Sequence, residues 1–109
     1  MRLEHVPPEK LKKDILFILG KHLNLDEYRV FFFGSRVNET STERSDIDVG
    51  IEGPPIPSAV WFDIREAFVN FPILYKIEIV DFNKVSSRFR DVALEATEEI
   101  WNPYAKLKI

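Results

Sequence analysis

The run "YRVFFF", Tyr28 to Phe33, has no polar face and stops at Gly34. It is too short for a helix, and a strand that is apolar on both faces must be covered on both sides. That demand for a buried central strand limits the chain to a layered fold. Upstream, in "PPEKLKKDILFILGKHL", Leu11, Ile15, Ile18, Leu19 and Leu23 recur at helical spacing behind a proline start, which predicts a first helix from Pro8 to Leu23. Downstream, "IDVGI" alternates, placing Asp46 and Asp48 on one face of a second strand and Ile47 and Val49 on the other.

The cluster "EGPPIPS" breaks the chain. Beyond it Trp61, Ile64, Phe68 and Phe71 define an amphipathic helix from Ser58 to Phe71, stopped by Pro72. The stretch "ILYKIEIVDF" alternates as a third strand, with Ile77 and Ile79 facing away from Glu78. Phe89, Val92, Ala93 and Ala96 mark a third helix, and "EEIWN" fits equally its last turn or a small closing strand. The order helix, strand, strand, helix, strand, helix predicts an α/β or α+β domain on a small mixed sheet, with helices mainly on one face.

A chain of 109 residues fits one domain, so 1–109 is expected to be a single unit. With 45% hydrophobic and 30% charged residues, it has ample core material and no signature of disorder. A net charge of −3 without a basic block disfavours work on long nucleic acids. The absence of Cys removes thiolate metal sites and thiol nucleophiles. No stretch reads as a signal peptide or approaches the ~20 apolar residues of a membrane span, so a cytoplasmic location is expected.

The residue types capable of chemistry are carboxylates and a glycine turn. Asp46 and Asp48 project from one strand face, and Glu78 joins them if its strand is a neighbour. Without a cation such acids repel and hold their protons more tightly; with Mg²⁺ they become a hard oxygen site that leaves positions for phosphate. Gly34, directly after a buried strand, lets backbone approach an anion closely. Ser35 adds a hydroxyl and an N–H, and Arg36 adds charge.

"GS", ten further residues and "DID" resemble the G-S-x10-D-x-D signature of the minimal nucleotidyltransferases, the smallest members of the DNA polymerase β-like nucleotidyltransferase superfamily. "YKIEIVDFNKVSSRFRDVALEA" is similar to the family's stretch in which a third acid on an apolar strand precedes a short helix. The resemblance implies the polymerase β-like fold. It also implies phosphate binding by Gly34, Ser35 and Arg36, Mg²⁺ (two ions) held by Asp46, Asp48 and Glu78, and ATP as substrate. The family's third acid is usually Asp, whereas here it is Glu78, with Asp81 nearby on the opposite strand parity.

Members of this type resemble antitoxins paired with an all-helical HEPN-domain protein, which they modify with AMP on tyrosine. The resemblance therefore implies a hetero-oligomer with a HEPN-type partner from a neighbouring gene, and an acceptor site made jointly with it. The rival expectation is a catalytically weak module that keeps the fold and neutralises its partner by occlusion. A haloacid-dehalogenase-type phosphatase fits worse, because a polar loop, not an apolar strand, precedes Asp46. No G-x-x-x-x-G-K-[ST] is present for a P-loop. His5 and His22 are expected to be solvated or capping, Arg44 and Arg36 to be loop charges, and Trp61, Phe62 and Phe68 to belong to the core.

Overall fold

A computed structural model of the chain describes Leu3, residues 6–37 and residues 46–104. The first helix, α1, spans Pro8–Leu19 and buries Leu11, Ile15 and Leu19, one residue per turn along a single stripe. It ends four residues before the expected Leu23. After Gly20 the backbone tightens, with the N–H groups of Lys21 and His22 donating to the carbonyls of Ile18 and Leu19, three residues back.

A 3₁₀ turn (Leu25–Glu27), capped by the Asn24 side chain, leads into β1 (Arg29–Phe33). Then follow β2 (Ile47–Glu52), α2 (Ser58–Val69), β3 (Ile77–Asp81), α3 (Ser87–Ala93) and β4 (Glu98–Trp101). The sheet order is β3-β2-β1-β4. The β1–β2 and β1–β4 pairs are antiparallel and β2–β3 is parallel, so the sheet is mixed as expected. A parallel pair needs a crossover, and α2 supplies it.

Helix α2 stops at Val69, before Phe71, because Pro72 biases the preceding residue away from helical backbone. The expectation that "EEIWN" closes either a helix or a sheet resolves to a strand. Its Glu98–Trp101 segment covers the free edge of β1, and the Trp101 indole N–H donates to the Leu25 carbonyl at 2.7 Å.

The two faces of the sheet bury different material. On one, α1 and α2 pack Leu11, Ile15, Ile64 and Phe68 against Val30, Phe32, Ile47, Val49 and Ile51. On the other, Phe31, Phe33 and Phe82 form a smaller aromatic cluster beneath α3, with Ala93 and Leu94 against it. Gly50 makes this cluster possible, since a Cβ there would overlap the rings of both Phe31 and Phe82. An ion pair between Arg90 of α3 and Glu52 at the end of β2 helps hold α3 over this face. Phe62 departs from its expected core role: it is 62% exposed on the outer side of α2, while Phe68 is buried and Trp61 packs partly against the core.

Candidate active site

The chain leaves β1 through Gly34, whose φ of +82° is a left-handed conformation that side-chain-bearing residues rarely adopt. The turn is closed by the Val37 N–H donating to the Gly34 carbonyl at 3.1 Å. A Cβ at Gly34 would occupy the space of the Asp48 carboxylate, so glycine is what allows turn and acid to sit in contact. Ser35 follows, partly exposed.

Asp48 lies on β2 between two partners, opposite Phe33 on antiparallel β1 and opposite Glu78 on parallel β3. The neighbouring strands therefore place Asp48 and Glu78 side by side on the sheet face away from α1 and α2. Asp46 stands just before β2, where its carboxylate is 3.9 Å from the ammonium of Lys76. Burial first, then the charges of Glu78 and Asp46, push the Asp48 carboxyl up to about 6. Burial of a carboxyl beside like charges produces that direction of shift.

A cleft of about 550 Å³ opens at this point, with Gly34, Asp48 and Glu78 at its polar end. Val80 and Phe33 form its floor, and Val85, Phe89, Val92 and Ala93 form an apolar wall. That wall escaped the sequence reading, because Phe89, Val92 and Ala93 register there only as the face of a helix. Their exposure is the sign that the face is not fully covered: Phe89 is 43% and Val92 62% exposed.

Asp81 is on the opposite parity. It is buried, outside the cleft, with Oδ1 accepting the Asn83 N–H at 3.0 Å in the turn after β3. Arg36 is not a solvated loop charge. It is 6% exposed, with its guanidinium 4.9 Å from the centre of the Tyr75 ring, and it is not among the residues lining the cleft. His22 sits partly buried in the turn after α1, away from the cleft. His5, Arg44 and most of the loop between Gly34 and Asp46 lie outside the described residues.

Among the described residues, no three His, Cys, Asp or Glu side chains close into a ready-made metal cage. The paired acids of Asp48 and Glu78 instead suit a hard dication that keeps water and takes phosphate oxygens, which is the habit of Mg²⁺. No helix among the described residues is long and apolar enough to cross a membrane.

Comparison with known proteins bears on the fold. A toxin–antitoxin complex solved with AMP-PNP matches over 84% of this chain and 73% of the other, at 15% identity and a TM-score of 0.68. A mutant of the toxin–antitoxin MntA-HpeT matches over 84% and 72%, at 12% identity and a TM-score of 0.66. A complex of tri-AMPylated Shewanella oneidensis HEPN toxin with MNT antitoxin matches over 92% and 77%, at 14% identity and a TM-score of 0.60. Among curated proteins none matches the sequence. The family model described as the nucleotidyltransferase domain matches residues 9–106, and with the mixed sheet and the acid-bearing strands already in view, the chain belongs to the nucleotidyltransferase domain family.

Proposed function

We propose that this protein is a Mg²⁺-dependent nucleotidyltransferase that moves AMP from ATP to a hydroxyl, a tyrosine, of a HEPN-type partner, and so acts as the antitoxin of a toxin–antitoxin pair. The observation that carries the reading is the meeting of Gly34, Asp48 and Glu78 in one cleft. Its partner and acceptor are supported by the structural neighbours, one an MNT antitoxin bound to a tri-AMPylated HEPN toxin.

The roles are those that the family resemblance implies. The turn at Gly34 and Ser35 presents backbone N–H and hydroxyl to the triphosphate, with no side chain at Gly34 to block close approach. Asp46 and Asp48 would hold Mg²⁺ (two ions with Glu78), which would supply neutralisation of phosphate charge and polarisation of the α-phosphoryl group. Arg36, packed on Tyr75 behind the turn, lends positive potential without entering the cleft. Glu78, the exposed member of the pair, receives the acceptor's proton as its oxygen bonds to the α-phosphorus. The bond from that phosphorus to the bridging oxygen breaks, and pyrophosphate leaves. Little covalent chemistry is asked of the protein beyond positioning and charge neutralisation.

Intact mass spectrometry of the HEPN partner after incubation with this protein, ATP and Mg²⁺ tests the reading. AMP-sized additions are expected, and they disappear with Asp46→Asn or Glu78→Gln. A stable complex with an unmodified partner would overturn the catalytic reading in favour of occlusion.

A further inference from the structure

A surface helix ordinarily turns polar side chains away from the core. Helix α2 does not. Opposite its buried Ile64 and Phe68, Phe62 is 62% and Val69 76% exposed. With Ser58, Trp61, Arg65 and Glu66 they line a cleft of about 380 Å³ on the outer side of the helix. Apolar surface gathered in this way marks a site of protein contact.

The charges of this face select what fits it. At about 100° per residue, Phe62 and Val69 share one line along α2, and Arg65 and Glu66 flank it, roughly 60° to one side and 40° to the other of Phe62. Both charged side chains are exposed, and neither takes an ion pair or a side-chain hydrogen bond among the described residues. A cation on one flank and an anion on the other are matched by the same surface turned by half a revolution about an axis running along the helix. That operation sets Phe62 and Val69 against their own counterparts and Arg65 against Glu66 on both flanks, so every charge meets its opposite. An antiparallel pair would instead set Arg65 against Arg65 and Glu66 against Glu66. Self-complementary contacts of the first kind are how twofold homodimers form.

We infer that a second copy of this chain docks on the outer face of α2, the two helices side by side in the same direction about a twofold axis, with Arg65 of each copy paired to Glu66 of the other. The contact leaves the acidic cleft open, because Gly34, Asp48 and Glu78 line the opposite face of the sheet. One helix face is smaller than the roughly 1,600 Å² of a standard stable interface, so the dimer is reversible, with a dissociation constant in the micromolar range.

Sedimentation equilibrium of the purified full chain between about 5 and about 500 µM tests the assignment. The mass is expected to rise from that of one chain toward that of two. Phe62→Glu and Val69→Glu hold it at one chain throughout, and their melting temperatures stay near that of the wild type because both side chains are exposed. Arg65→Glu and Glu66→Arg each weaken association at least about tenfold by setting like charges together, and an equimolar mixture of the two variants associates again. The chain has no cysteine, so Ser58→Cys carries a single thiol, and a short bis-maleimide joins two copies through it. In an antiparallel pair those thiols would stand roughly 20 Å apart along the axis.

The assignment is overturned if the wild type remains a single chain at about 500 µM, or if the charge variants associate as the wild type does. A dimer that the bis-maleimide does not join overturns it as well. If the wild type does not self-associate and Phe62→Glu abolishes the complex with the HEPN-type partner, the face belongs to that partner and not to a second copy.

Discussion

At the level of single residues, Asp48 carries the electrostatic tension of the site. Its carboxyl is pushed up to about 6 by burial, with the charges of Glu78 and Asp46 adding to it. An acid whose folded pKa exceeds its unfolded value binds its proton more tightly when folded. Its contribution to stability is therefore greatest below the unfolded pKa and is lost as pH rises through the folded one. The window runs from about pH 4 to about pH 6. Solvent reaches this carboxyl, so the penalty at neutral pH is discounted to about 1 kcal/mol. Metal-free Asp48→Asn is accordingly expected to melt above the wild type at pH 7, with the gain vanishing near pH 4. Equal melting temperatures at both pH values would contradict this account.

Gly34 makes a prediction of the opposite sign. Gly34→Ala imposes left-handed strain of about 1–2 kcal/mol and drives a methyl group into the Asp48 carboxylate. It should lower stability in denaturant titration and abolish binding of Mg²⁺-nucleotide together. The two acids of β3 separate by face: Glu78→Gln is expected to remove transfer while sparing the melting temperature. Asp81→Ala should spare transfer and reduce stability, because it removes the oxygen that accepts the Asn83 N–H in the turn.

At the level of elements, short α3 shapes the cleft. Ser86 caps it by accepting the Phe89 N–H at 3.1 Å, and the backbone N–H of Leu94 closes the last turn onto the Arg90 carbonyl. Ser86→Ala is expected to cost about 1 kcal/mol and to speed amide exchange in α3 more than in the sheet. Uniform acceleration across the molecule would show instead that α3 opens only with the whole fold.

Element type was legible because each segment's period matched its environment. Leu11, Ile15 and Leu19 repeat at helical spacing against a sheet, while Ile47, Val49 and Ile51 alternate above a single core face. Element ends were less legible. The first helix stops short of Leu23 because the backbone tightens after Gly20, and β4 exists because β1 had an edge to cover. The second cause is not local to the residues concerned.

Across the whole molecule, the site depends on sheet order. Asp48 and Glu78, 30 positions apart, are register partners only because α2 carries the chain back to lay β3 parallel beside β2. Binding to the native state must then stabilise the whole domain. At a hundredfold excess over its dissociation constant, Mg²⁺ with ATP should add about 2.7 kcal/mol and raise the melting temperature by several degrees. Either component alone should give much less, and no shift with both at millimolar concentration would remove the support for catalysis.

The sequence by itself determined the element types other than that of β4, the glycine turn at its spacing from Asp46 and Asp48, and the parity that separates Glu78 from Asp81, because backbone periodicity and chirality are local properties. Tertiary structure alone decided that Glu78 meets Asp48, that Arg36 lies buried on Tyr75, that Phe62 is left outside the core, and that Phe89 and Val92 line a cleft. Those outcomes depend on which surfaces the packed helices leave uncovered, and no single segment of the chain encodes that.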